Sequence, residues 1–278
     1  MRNSFGPWAV VAVGLAWLVT TTTILADEPD KDLLKRWSEQ LRQSLDWYQL
    51  ASGRDPKEPM KPEIVLRWAN PVRSQKGETA LVLWIDSGRP EALTSVYPWS
   101  GHLNYECVSL ARGDGLIAKD GGRLAWAPRA PGVAFLAVPE AATPAKSTAA
   151  RLAQMKGIAE LFKVAILNTR DGKPNREELR LLPRPIYRYD LAAARVAHPD
   201  LVDGAAFALV QGTDPEAVLL VEAVRQGASE AWQYAFGRAT SWPVEAKLGS
   251  SLVWSVPSQQ VWNDPKLPAV LLGRRLAD

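Results

Sequence analysis

One cysteine and two histidines among 278 residues remove several kinds of chemistry at once. Cys107 alone cannot form a disulfide within the chain, so the folded state must be held by its core. In the alternating run Tyr105-Glu106-Cys107-Val108 it reads as a small buried hydrophobe rather than a reactive thiol. His102 and His198 stand in loop-like contexts beside Gly101 and Pro199, with no second His or Cys at a ligand spacing, which argues against a metal site. No G-x-S-x-G is present, and Trp99-Ser100-Gly101-His102 sets a Ser and a His too close along a loop to serve as a catalytic pair. Gly-rich phosphate loops are missing too. The Asp-Gly pairs at Asp114, Asp120, Asp171 and Asp203 are turn formers, and so is the tripeptide Arg112-Gly113-Asp114. A net charge of +3 without a dense Lys/Arg stripe does not suit a nucleic-acid binder. No cofactor is expected.

What is present begins with a leader. Met1-Arg2, the apolar run Trp8–Val19 and Ala26-Asp27 fit a signal peptide over 1–26, so the protein is expected to be exported to the periplasm or beyond. The alternative is a membrane anchor, since Pro7–Ala26 is long enough to span if it stays uncleaved. No later segment is. Beyond the leader, Leu34, Trp37, Leu41, Leu45 and Tyr48 recur at spacings of three and four, which predicts one amphipathic helix ending near Ser52-Gly53. Asp27, Glu28, Asp30 and Asp32 suit its positive end better than they suit a metal. Pro56, Pro59 and Pro62 make a stiff connector.

Strands follow. Ile64–Trp68 is one; Ala80–Ile85 and Ala92–Tyr97 flank the turn 86–91; Tyr105–Arg112, the hairpin 116–126 and Val133–Val138 come next. A linker over Ala141–Ala145 then leads to a Ser147 or Thr148 cap and a second helix through Leu152, Met155, Ile158, Ala159 and Phe162. Leu179–Leu182 and Ile186–Tyr189 precede the stretch Gly204–Arg225. Its two runs, joined by Gly212-Thr213-Asp214-Pro215-Glu216, read as a hairpin covered on both faces. Trp232–Arg238 is a half-buried strand, and Val244–Leu248 with Leu252–Val256 forms a last hairpin.

The two halves echo each other. Pro90-Glu91-Ala92-Leu93 parallels Pro215-Glu216-Ala217-Val218, Arg112 parallels Arg238, and 118–126 shares A-K-x-G-x-x-L-x-W with 246–254. The three landmarks recur in order at offsets of 125 to 128 residues. The expected fold is therefore α+β, with two pseudo-repeated modules over 27–140 and 141–278, each an amphipathic helix followed by an antiparallel β-meander. The runs Leu181–Tyr189 and Asp203–Glu216, together with Arg67-Trp68-Ala69-Asn70-Pro71 and Ser95–Trp99, resemble a group of uncharacterised exported bacterial proteins of planctomycete type. That resemblance implies relatedness alone and carries no catalytic residue over.

Tryptophan is the one abundant specialist. Of twelve, Trp8 and Trp17 belong to the leader. Trp37, Trp84, Trp126, Trp232 and Trp254 fall on apolar faces, where packing explains them. Trp99, Trp242 and Trp262 stand beside Pro or turn residues and are the candidate contacts for a ligand or partner. The expected function is a non-enzymatic binding or assembly module of the cell envelope, acting on an envelope protein or polysaccharide. The alternative is a glycosidase-like hydrolase using paired carboxylates between the modules, with Asp86, Glu106, Asp214 and Glu222 as candidates.

Overall fold

The computed structural model describes residues 31–53, 58–68, 79–113, 115–170 and 172–275. The expected leader, the acids Asp27, Glu28 and Asp30, the residues Pro56 and Ala69-Asn70-Pro71, and the turn residues Asp114 and Asp171 lie outside these. Among the described residues no helix is long and apolar enough to cross a membrane.

Most of the described chain is antiparallel sheet, with few helices. Helix α1 (Lys31–Ser44) continues into a 3-10 turn at Leu45–Trp47. Tyr48, which extends the helical stripe in sequence, instead opens strand β1 (Tyr48–Ala51). The helix stops earlier than its periodicity predicts for two reasons: the Ser44 hydroxyl donates to its own helix at Leu41 O (2.6 Å), and the Tyr105 hydroxyl donates to the Ser44 carbonyl (2.8 Å). A long meander follows: β2 (Lys61–Trp68), β3 (Thr79–Asp86), β4 (Arg89–Trp99) and β5 (His102–Ser109), then the hairpin β6 (Ile117–Asp120) and β7 (Arg123–Trp126). After the short β8 (Leu136–Ala137) comes α2 (Thr148–Glu160), capped as expected by Ser147, whose Oγ accepts from Ala150 N at 3.2 Å. The rest of the chain forms β9 (Phe162–Arg170), β10 (Lys173–Glu178), β11 (Arg180–Leu181), β12 (Tyr187–Arg188), α3 (Leu191–Ala197), β13 (Leu201–Gln211), β14 (Asp214–Gln226), β15 (Ser229–Arg238), β16 (Val244–Leu248), β17 (Ser251–Val256) and β18 (Ala269–Arg275).

Two sheets form the centre. One has the order β18-β5-β4-β3-β2; the other runs β11-β13-β14-β15-β8, with β12 also on β13. Leu81, Leu83, Leu93 and Val108 from the first sheet and Ala206, Val218, Leu220 and Ala235 from the second belong to one apolar cluster, so the sheets pack face to face over a shared core. The outer face of the first is covered by α1 and the small sheet β1-β6-β7, around Trp84, Tyr105 and Trp126. The outer face of the second is covered by α2 and the sheet β10-β9-β16-β17, around Phe162, Phe207 and Phe236. Covering on both faces is why β3 and the middle of β14 are near-continuous apolar runs. The strands do not respect a boundary at residue 140: β8 pairs with β15, and β18 crosses back to pair with β5.

The turns are tighter than the sequence suggests. Ser87-Gly88 alone joins β3 to β4, and Gly212-Thr213 alone joins β13 to β14, while Pro90, Glu91, Pro215 and Glu216 are strand residues. Ser87 and Gly88 have φ of 47° and 76°, the geometry of a two-residue turn whose twist matches that of the strands. The prolines are accommodated by a bulge in each hairpin, where Ile85 faces Pro90 just past Trp84↔Ala92 and Val210 faces Pro215 just past Leu209↔Ala217. The A-K-x-G-x-x-L-x-W runs are also closed alike: Ala118↔Trp126 and Ala246↔Trp254 are each followed by a bulge and then Lys119↔Leu124 or Lys247↔Leu252. One landmark moves. Ser109, opposite Ala92, matches Arg238, opposite Ala217, whereas Arg112 lies beyond the end of β5.

Cys107 is buried in the cluster beneath α1, and burial pushes its thiol pKa up to about 12, with the Thr94 contact only partly opposing that rise. The native chain is expected to resist a thiol-specific reagent at neutral pH and to react once unfolded. Stoichiometric labelling of the folded protein would refute this packing.

Candidate functional site

The seam between the central sheets is apolar in its middle and polar at both ends. Along β4 the inward side chains are Arg89, Glu91, Leu93, Ser95, Tyr97 and Trp99; along β14 they are Asp214, Glu216, Val218, Leu220 and Glu222. The start of β4 meets the end of β14, where Arg89 bonds Glu222, and the end of β4 meets the start of β14 in a cleft. The two ends differ in kind.

At the first end the polar groups are packed shut. Arg89 is completely buried; its Nε donates to Glu222 Oε1 at 3.0 Å, and its NH1 lies 2.9 Å from Glu91 Oε1. Glu222 also accepts from Arg112 NH2, from the Tyr189 hydroxyl (3.0 Å) and from Gln233 Nε2 (3.0 Å), which occupies its acceptor capacity. The Arg112 guanidinium stacks 4.1 Å from the Phe135 ring centre, and His198 Nε2 sits 3.4 Å from Glu91 Oε1. Burial by itself would raise the Glu222 pKa, but the fields of Arg89 and then Arg112 overcome it and hold the carboxyl below its ordinary value of 4.5. Glu91 is treated likewise, mainly by Arg89. Glu222 is therefore a structural anion and not a free catalytic carboxylate.

The Tyr189 bond depends on a glycine. A Cβ on Gly204 would stand 2.4 Å from two atoms of the Tyr189 ring, so only a bare backbone lets that ring lie across β13 to reach Glu222. Gly204→Ala is expected to displace the ring and to lower stability by about 1–3 kcal/mol, the usual range for overpacking. Urea unfolding measures this, and a variant as stable as the parent would contradict the contact.

At the second end the seam opens into a cleft of about 280 Å³. Trp99 and Trp242 both line it, 56 % and 41 % exposed, so two of the three tryptophans singled out from sequence come together at one site. Trp99 closes β4 ahead of the turn Ser100-Gly101, both at positive φ, and Asn104 Nδ2 reaches its carbonyl at 3.5 Å. Trp242 is held from behind: Arg238 NH2 donates to its carbonyl (3.1 Å), and its own N–H donates to Thr240 Oγ1 (3.3 Å). Glu106, Asp214 and Glu216 supply three carboxylates to the same wall, and Tyr97 donates to Glu106 Oε1 at 2.8 Å. Trp68, Thr79, Ser95, Thr240 and Ser241 add one more ring and four hydroxyls to the lining, and Ala239 completes it.

The other sequence candidates lie elsewhere. Trp262 is only partly exposed and packs into the core between the sheets, with its carbonyl bound to Leu271 N (2.7 Å). Asp86 ends β3 and accepts from Ser87 Oγ at 3.0 Å. His102 points Nδ1 at the Ser100 carbonyl oxygen (3.0 Å) and not at its hydroxyl, and His198 closes α3. Among the described residues no cluster of three or more His, Cys, Asp or Glu could hold a metal ion.

Such a wall can stack the apolar face of a ring on indole and accept hydrogen bonds from several hydroxyls at once. Glu216 escapes a sequence reading because the turn signal of the hairpin covers it; its place two residues after Asp214, on the same strand face, is the signal that could have found it. No family model matches this chain, no curated protein is significantly similar to it in sequence, and no solved structure is significantly similar to it in fold.

Proposed function

We propose that the chain is an exported, non-enzymatic envelope module that binds a neutral carbohydrate in the cleft between Trp99 and Trp242. The observation that carries this reading is the convergence of two exposed indoles, three carboxylates and several hydroxyls on one small cleft. Sugars present an apolar C–H face and a rim of hydroxyls, so they use both kinds of group together. Export is inferred from the leader pattern over 1–26. A volume near the lower end of small-ligand clefts suits one sugar unit of a longer glycan. Titration calorimetry of the purified full-length chain against neutral oligosaccharides from its host's envelope tests the proposal. Saturable heat with a negative heat-capacity change supports it, and silence across the panel overturns it.

A second reading is favoured by one observation: Glu106 and Asp214, both candidates for a carboxylate hydrolase, line the same cleft with Glu216. On that reading the pair would hydrolyse the bound glycoside, and reducing ends would accumulate with the parent and not with Asp214→Asn.

We also infer that the chain arose by duplication, into modules over 27–140 and 141–278. Support comes from the matched bulges at Pro90 and Pro215, the matched hairpins, and the pairing of β1 with β6 as of β9 with β16. On that inference the salt-bridged end and the open end of the seam are counterparts, since Arg89-Pro90-Glu91 corresponds to Asp214-Pro215-Glu216.

A further inference from the structure

A second groove lies at the salt-bridged end, away from the tryptophans. It is made of two adjoining hollows of about 420 and 410 Å³ that share Pro199, Leu201 and Arg225. Lys146 stands just before the Ser147 cap of α2, Arg195 projects from the last turn of α3, and Arg225 lies near the end of β14. All three are exposed, and among the described residues none of them forms an ion pair. The Arg195 guanidinium is fixed by NH2 donating to Val202 O at 3.1 Å, which leaves the rest of its donor fork to the groove. Behind them Arg151, almost wholly buried, is neutralised by Asp203 at 2.7 Å. Carboxylates are few here: Glu230 faces the first hollow and Asp200 the second.

We propose that this groove binds an anionic glycan, through carboxylate or phosphate groups set along its length. All three cations line the first hollow and Arg225 continues into the second, where Arg89 and Arg112 are already paired with Glu222; several separate cations suit a ligand with more than one acid group, and guanidinium forks match oxyanions in pairs. The lining has no Phe, Tyr or Trp, and its one imidazole, His198, is turned toward Glu91, so it lacks the run of stacking platforms that single-stranded nucleic acid needs. The N-terminal end of α2 adds positive potential beside Lys146. None of this depends on the tryptophan cleft, which lies at the opposite end of the seam.

The test is calorimetric titration of the full-length chain with an oligogalacturonate, with the same oligomer fully methyl-esterified, with tripolyphosphate, and with a single-stranded RNA of similar charge. Binding of the free acid or of tripolyphosphate, weakening as salt is raised, and absent for the ester, is the expected result. The two anionic arms separate a carboxylate-bearing from a phosphate-bearing ligand. Arg225→Gln and Lys146→Gln should each weaken binding roughly three- to tenfold, the range for one charge-assisted contact at an exposed site. Lys266→Gln, at an exposed position outside the groove, and Trp99→Ala should leave it unchanged. Equal binding of acid and ester, tighter binding of the RNA, or full affinity in the Arg225→Gln and Lys146→Gln variants would each overturn the proposal.

Discussion

Arg89→Met is expected to lower the stability of the chain by about 3–5 kcal/mol at neutral pH, the usual cost of removing one partner from a buried ion pair. The loss would come mainly from what is left behind. Glu91 and Glu222 stay almost completely buried; Glu91 loses its nearest cation and Glu222 one of its two, and the carbonyls of Pro90 and Leu110 lose their guanidinium donors as well. Arg112 still reaches Glu222, which sets the lower end of the range. The effect should depend on pH in a defined direction. Both carboxyls are held below their ordinary value of 4.5 in the folded state, so their contribution is fully present above that value and fades as pH falls through the folded values. Parent and variant should therefore converge in acid. Urea unfolding at about pH 7 and about pH 3 measures both effects, and a gap that is small at neutral pH or undiminished in acid would show that the network is not what holds this end of the seam.

Much of the framework was legible because burial on one or two faces writes period-two or continuous apolar patterns. β3 and β16 follow their sequence runs closely, β13 and β14 extend beyond theirs, β5 (His102–Ser109) begins and ends three residues before the run Tyr105–Arg112, and the echo between 118–126 and 246–254 marked two hairpins that carry the same bulge. What was not legible has local physical reasons. Tyr48 and Phe162 fall at helical spacing although each opens a strand, because the residues that pack the helix stripe also begin the covering sheets. No Gly or Pro separates α2 from β9, so nothing in the sequence announces the change. β18 is a short apolar run whose partner β5 lies far back in the chain, and local patterning cannot report such pairing. The helix α3 is too short to show a period.

The site shows the same division. Trp99 and Trp242 were found because an indole beside a turn is seldom core, but that they share a cleft follows only from β4 and β14 meeting end to start. Glu222 read as a possible catalytic acid because charge in an apolar strand attracts notice. Its role became visible only with Arg89 and Arg112, which come from a distant part of the chain.

Replacing Trp99 or Trp242 by Ala should each weaken carbohydrate binding by about 2 kcal/mol, roughly thirtyfold, from lost stacking and lost apolar contact together. Both rings are exposed and neither is in a core cluster, so the melting temperature should stay close to that of the parent, and a loss of binding could not be blamed on unfolding. Trp262→Ala serves as the contrast: it should cost stability, since its ring packs between the sheets, without a specific loss of affinity. Exchanging Asp214 for Asn keeps an acceptor toward sugar hydroxyls but removes a charge. If the cleft only binds, Asp214→Asn should reduce affinity a few-fold and no product should form with the parent; if it hydrolyses, the parent should release reducing ends and the variant should bind without doing so. Undiminished affinity in both tryptophan variants would leave the cleft without the contacts proposed for it. The wall formed where β4 ends and β14 begins would then have to be explained by packing alone, as the salt-bridged end already is.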